Sequence, residues 1–292
     1  MFNFYAVSRF IWLRLTVFRW ADTAFFFYIL PMRCVIFNSK VFSDVARWIE
    51  TWYGDHDDVV VLGYSDPNCT CTIDQVRADN PGKRVIVYQL EQLFDGSVYI
   101  NSKTAPWLKK ADEIWDFDLG NIAYLERWGF RPKYVPLAYT DRMQIPMKRP
   151  ENRDIDVLFV GAPSVYRIGL LRDMLKKYQF RYSTVIGSGI YGLLLDELIS
   201  RTKIFVNIHA SKEYHCQEQV RLFRAVSGGC CVVTEKSPFN EFGKAVIECD
   251  YSQIGPVCTR LLQTGDWQKI SSSAAETYRL HCQNRKPYVS SR

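Results

Sequence analysis

The sequence predicts an α/β protein of two Rossmann-like, doubly wound domains that face each other across a cleft. Three observations carry this expectation. Short, nearly continuous apolar runs recur along the chain, among them Cys34–Phe37, Val59–Leu62 and "RVIVY" at 84–88. Segments with helical spacing separate many of these runs. The alternation stops at the polar stretch "DRMQIPMKRPENRD", residues 141–154, and then starts again. Strands that are apolar on both faces belong in parallel sheets covered on both sides.

In the first half, strands are expected at 34–37, 59–62, 84–88, 113–115 and 134–137. Helices are expected at 43–53, where Val45, Trp48, Ile49 and Trp52 form one stripe, and at 121–128. In the second half, strands are expected at 156–160, 182–186, 203–208, 230–234 and 245–248. Helices follow at 167–178, 191–200 and 217–226, and residues 253–285 are largely helical in pattern. The domains then read as 32–142 and 155–265, joined by a linker at 143–154 and followed by a helix and tail at 266–292. Residues 1–31 form an apolar, basic extension. Three readings fit it: an interfacial amphipathic segment, a poorly ordered extension, or sequence upstream of a natural start at Met32. The last two are preferred, so membrane association through this segment is not favoured. Its longest uncharged run falls short of the ~20 apolar residues that a membrane span needs.

Composition narrows the classes. The chain has 292 residues, is 48% hydrophobic and 23% charged, and so has enough apolar material for a real core. A net charge of +6 suits a phosphate-bearing ligand or a polyanionic acceptor without requiring either. The nine cysteines are odd in number, and several sit in apolar runs, as reduced, buried thiols do. That points to a cytoplasmic setting, which would be the host's if the chain is viral. Cys69 and Cys71 are too close, and lack a second pair, to make a zinc site. The phosphate-binding G-x-x-x-x-G-K-[ST] and dinucleotide-binding G-x-G-x-x-G patterns are absent, and Gly187 and Gly189 lack the third glycine.

The stretch "EQVRLFRAVSGGCCVVTE", residues 218–235, carries most of the functional signal. A helix ends at a double glycine and leads into a buried strand. Gly228 is expected to stop the helix in left-handed geometry, and Gly229 to allow close backbone approach. Arg221 and Arg224 are three apart on a side away from the apolar stripe. This stretch resembles the C-terminal motif of GT-B glycosyltransferases, especially the compact group related to spore-maturation glycosyltransferases. "DVLFVGAPSVYRIGLL", "RTKIFVNIHAS", "RVIVYQLEQL", "ADEIWDFDLGNIAYLERWGF" and "YVPLAY" are similar, in order, to other segments of that group. The resemblance covers about residues 33–265.

The resemblance implies an enzyme that moves a hexose or pentose from a nucleotide-sugar donor to an acceptor hydroxyl, on a glycan or on a hydroxymethylated base in DNA. It implies no resident cofactor and no required divalent metal. The donor-binding candidates are Gly161, Arg167, Glu213, His215, Glu218, Arg221, Arg224, Gly228 and Gly229. The family's paired glutamates would fall at Cys216 and Arg224, so Glu218 stands as a substitute carboxylate at a different spacing. Glu91, at the end of a first-domain strand, is a candidate general base, with a capping role as its alternative. His209, at the end of 203–208, is the second catalytic candidate, with a satisfied core histidine as its alternative. Asp116 and Asp118 match a D-x-D pattern that would hold a metal in a GT-A transferase. Asp118 reads equally as the cap of the helix near 121. A non-catalytic two-domain sugar- or nucleotide-binding protein is the remaining alternative.

Overall fold

The computed structural model describes residues 33–37, 39–53, 57–177, 183–186 and 190–285. The expectations for residues 1–31, for Met32 as a start and for Gly187 to Gly189 fall outside these. Two parallel five-stranded sheets form the framework. The first, in order β1-β2-β3-β4-β5, comprises β1 (Arg33–Ile36), β2 (Val59–Leu62), β3 (Val85–Gln89), β4 (Glu113–Asp116) and β5 (Lys133–Tyr134). The second contains β6 (Ile155–Val160), β7 (Ser183–Ile186), β8 (Thr202–Asn207), β9 (Cys231–Glu235) and β10 (Ile247–Cys249). Its order is β10-β9-β8-β6-β7, so all strands run parallel and the direction in which strands are added reverses between β6 and β8.

Both sheets carry helices on both faces. In the first, α1 (Ser39–Tyr53) packs Phe42, Val45, Trp48 and Ile49 on the face of Ile36, Val60 and Leu62. The helices α2 (Ile73–Asp79), α3 (Ala105–Lys110) and α4 (Leu119–Arg127) cover the other face, with Val59, Val61 and Val85. In the second, α5 (Val165–Lys177) and α8 (Ile254–Thr264) cover the face of Val157, Phe159 and Ile204. The opposite face packs on α6 (Gly192–Ser200), α7 (Gln219–Ser227) and α9 (Asp266–Asn284) through Ile199, Phe223 and Tyr278. These inner faces share one apolar core with the first domain. Fully burying a side chain such as Phe223 contributes about 1.5–3 kcal/mol.

The differences from expectation have local causes. The strand expected at 134–137 pairs only at Lys133–Tyr134, because Pro136 has no N–H for the ladder. Val135 and Leu137 are buried all the same. The helices α2 and α3 were not foreseen, although Thr72 and Gln75 form a capping box that the sequence displays. Gly228 is right-handed at φ −72°, and the left-handed position is Gly229 at φ +80°. The linker is no loose tether, since Met143 and Ile145 are buried in the shared core.

Two glutamines join the domains. Gln92 exchanges hydrogen bonds with the Cys216 backbone, both at 3.1 Å. Gln219, fully buried, donates to the Phe117 carbonyl at 2.8 Å and accepts from the Leu137 amide at 2.9 Å. The α9 helix returns to the first domain, where Tyr278 donates to the Leu137 carbonyl at 2.8 Å. Among the described residues, no helix is long and apolar enough to cross a membrane.

Candidate active site

The carboxyl ends of the strands in both sheets open on a cleft of about 440 Å³ between the domains. On the second-domain side this is the point where strand order reverses, the usual ligand crevice of an open α/β sheet. The loop after β6 and the loop after β8 meet there, and Arg167 ties them together. Its Nε donates to the Ile208 carbonyl at 2.9 Å and its Nη1 to the Ala162 carbonyl at 3.0 Å. Its Nη2 donates to Glu218 Oε1 at 2.6 Å. Arg167 is only 3% exposed. Burial pulls its pKa below the ordinary arginine value, and the Glu218 carboxylate opposes that pull.

Glu218 accepts from a second arginine. Arg221 Nη1 donates to Glu218 Oε2 at 2.8 Å and to Asn207 Oδ1 at 2.7 Å. Asn207, fully buried at the end of β8, is itself anchored to Thr234 Oγ1 at 3.0 Å. The Arg221 guanidinium lies over Gly161: a Cβ there would approach Arg221 Nη2 to 3.0 Å and Phe159 Cζ to 3.1 Å. The glycine therefore permits the arginine to sit where it does. Gly161, Arg167, Glu218 and Arg221 all line the cleft. The result is a fixed cationic wall, two guanidiniums on one carboxylate, at the start of α7.

The first-domain wall presents Glu91. Asn121 positions its loop by donating to the Glu91 carbonyl and accepting from the Leu93 amide, each at 2.8 Å. Burial raises the Glu91 carboxyl from 4.5 to about 7. A hydrogen bond from Tyr99 works against this rise, and the charges of Asp66 and Glu218 add to it. Tyr99 also hydrogen-bonds Tyr214 of the second domain, and both tyrosines line the cleft. A carboxyl that titrates near neutrality in a cleft is matched to proton acceptance.

Other expected residues fall elsewhere. Arg224 reaches the cleft wall, but its guanidinium pairs with Asp196 of α6, lies 3.7 Å from Asp44 of α1 and donates to the Met143 carbonyl at 3.2 Å. It joins elements of both domains. Gly228 and Gly229 sit at the far end of α7, off the cleft lining: a Cβ on Gly228 would meet Ile145 at 3.0 Å, and one on Gly229 would meet the Ser271 carbonyl at 3.4 Å. There they end the helix and meet packing neighbours rather than the cleft. His209 is also off the lining and 3% exposed: its amide donates to Glu235 at 3.0 Å, and Nε2 lies 3.1 Å from the Lys236 carbonyl. Its ring is turned towards the residues after β9 and away from the cleft lining, and its buried Nδ1 has no hydrogen-bond partner among the described residues. Glu213 is exposed and off the lining. His215 lines a separate recess of about 240 Å³ with Asp118 and Phe239. The loop places Ala210 and Tyr214 in the cleft instead.

Asp116 and Asp118 serve the scaffold. Asp118 caps α4, accepting from the Gly120 and Asn121 amides at 2.7 and 3.2 Å. Asp116 is fully buried and accepts from the Asp118 amide at 2.9 Å and from Asn121 Nδ2 at 3.1 Å. Sequence reasoning missed Tyr99, Tyr214, Gln92, Gln219 and Asn207. Only Asn207, the polar end of an apolar strand, left a readable signal.

No protein-family model matches the sequence, and no curated protein matches it. Solved structures do match the fold. HepE of Anabaena, solved in complex with UDP and glucose, aligns with a TM-score of 0.54 at 10% identity, over 81% of this chain and 76% of that one. TarM aligns with a TM-score of 0.50 at 9% identity, over 78% of this chain and 52% of that one. The chain thus spans about half the length of TarM. The two Rossmann-like sheets about a cleft are the GT-B fold.

Proposed function

We propose that this protein is a glycosyltransferase that moves a sugar from a nucleotide-sugar donor to an acceptor hydroxyl. The observation that carries the reading is that Glu91 of one domain and the Arg167–Arg221 pair of the other face a single cavity. The GT-B fold supports it, as does the resemblance of residues 33–265 to the compact spore-maturation group.

In the proposed reaction the acceptor hydroxyl gives its proton to the Glu91 carboxylate. Its oxygen bonds to the anomeric carbon while the bond from that carbon to the diphosphate breaks, inverting the anomeric centre. Negative charge grows on the departing diphosphate, and the two arginines meet it in a site with restricted water. Charge neutralisation is thereby assigned to side chains rather than to a divalent metal. Among the two acceptor classes, we favour a glycan hydroxyl over a hydroxymethylated DNA base. Among the described residues, the first-domain lining of the cleft includes Asp44 and Glu91 but no lysine or arginine, whereas a polyanion draws its affinity from cationic contacts.

Binding without transfer is the second reading. It is favoured by Arg224, at the position of the family's second glutamate, being engaged in ion pairs. The test is a thermal-shift screen of UDP, GDP, CDP, TDP and their common sugars, with Mg²⁺ or EDTA, followed by a donor-hydrolysis assay. A selective shift that survives EDTA, with hydrolysis abolished in Arg167→Ala of unchanged fold, is the expected result. Retained hydrolysis in that variant refutes the role of Arg167. A shift without hydrolysis or transfer favours the binding protein.

A further inference from the structure

The carboxylate on the two arginines is the most informative feature of the cleft. Glu218 places one oxygen on Arg167 at 2.6 Å and the other on Arg221 at 2.8 Å. Two guanidiniums bridged by one oxyanion are the arrangement that binds phosphate oxygens elsewhere. We propose that Glu218 is an internal counter-anion: it holds the seat of the donor's diphosphate and has to leave that seat before a donor binds. This rests on the nucleotide-sugar reading above.

Only the carboxylate of this cluster is free to move. Arg167 is fixed by the Ile208 and Ala162 carbonyls, and Arg221 by Asn207. Glu218 precedes the first residue of α7 with non-helical backbone angles, φ −76° and ψ 72°, and its side chain makes no capping bond. Its side chain can swing away without breaking a helical hydrogen bond. The arginines then remain in place, oriented and unpaired.

Selectivity follows from charge. With Glu218 seated, two cations share one anion. With Glu218 withdrawn, two fixed cations await a ligand, and a buried guanidinium without a partner is costly. A monoanion merely repeats what Glu218 already supplies. A diphosphate brings at least two charges and several acceptor oxygens, so it displaces the carboxylate where a monoanion does not. In the empty enzyme Glu218 keeps buried Arg167 paired and makes the site reject weak anions.

The test is isothermal titration of wild type and Glu218→Gln with inorganic pyrophosphate, then with UDP, GDP, CDP and TDP. Glutamine keeps the size and one acceptor but removes the competing charge. About tenfold tighter pyrophosphate binding by the variant is expected, corresponding to ~1.4 kcal/mol. Equal or weaker binding overturns the proposal, since a carboxylate that merely supports the arginines loses affinity when neutralised. If the variant does not fold, a crystal structure of wild type with pyrophosphate decides: Glu218 swung off both arginines supports displacement, and Glu218 still bonded to both refutes it. If pyrophosphate binds tighter to the variant but no nucleoside diphosphate binds either protein, the counter-anion role stands and the nucleotide-sugar reading fails. If a nucleoside diphosphate binds wild type but the variant gains nothing, the reading stands and the counter-anion role fails. If neither protein binds any of these ligands, both fail.

Discussion

Replacing Glu91 with glutamine is expected to make the protein inactive and, at alkaline pH, more stable. The Glu91 carboxyl is raised from 4.5 to about 7, chiefly by burial. The folded state therefore binds its proton more tightly than the unfolded state does. The resulting stabilisation is complete below the unfolded value of 4.5, declines as pH rises towards the folded value of about 7, and is gone above it. Each unit of difference is worth about 1.4 kcal/mol, so ionising Glu91 costs the fold on the order of 3 kcal/mol at pH 8. Glutamine keeps the shape and carries no charge at any pH. Urea unfolding of wild type and Glu91→Gln at pH 4.5, 6, 7 and 8 should show no gap at the lowest pH. A gap favouring the variant should open above it and level off near pH 8. Transfer or donor-hydrolysis assays on the same samples should show activity lost throughout. A gap that does not vary with pH, or a variant less stable at pH 8, would refute burial of this carboxyl as the source of its reactivity.

Other outcomes follow from the same contacts. Tyr99→Phe removes a hydrogen bond that holds the Glu91 pKa down; at about 1.5 kcal/mol for a bond to a charged group, the acid limb of kcat/KM should move up by about one pH unit. An unchanged limb would remove Tyr99 from the mechanism. Gly161→Ala places a Cβ 3.0 Å from Arg221 Nη2, so nucleoside diphosphate binding should weaken while Tm changes little, read by titration calorimetry and melting. Gly229→Ala forces a side chain at φ +80° and should destabilise the fold by about 1 kcal/mol, while the KM for donor is unchanged. A raised KM would return Gly229 to the binding site. Gln219→Ala leaves the buried Leu137 amide and Phe117 carbonyl without their partner, and about 1–3 kcal/mol of stability should be lost for each group left unsatisfied.

Much of the framework was legible along the chain because it depends on local pattern. Runs such as Val59–Leu62 and Cys231–Val233 are apolar at every position, which only a sheet covered on both faces accommodates. The restart after residue 154 separates two such sheets, and Asp118 ahead of Gly120 and Asn121 reads as a cap because capping is a contact between near neighbours. Gly161 just past β6, Glu91 just past β3 and Arg167 in the first turn of α5 could be nominated because the segments that follow strand ends face the crevice of an α/β sheet.

What the tertiary structure decided was direction and partnership. His209 also ends a strand, yet its ring turns to Lys236, a choice made by the segment after β9. Arg221 and Arg224 are one helical turn apart, but the first faces Asn207 and the second Asp44 and Asp196. Which of them remains available for a ligand depends on carboxylates far away in sequence. The union of Glu91 with Glu218, Arg167 and Arg221 in one cavity arises only when two independently patterned sheets pack together. Local pattern settles which backbone each segment adopts, because those energies act within a few residues. Long-range packing settles which side chains meet, because charge pairing and burial act through space.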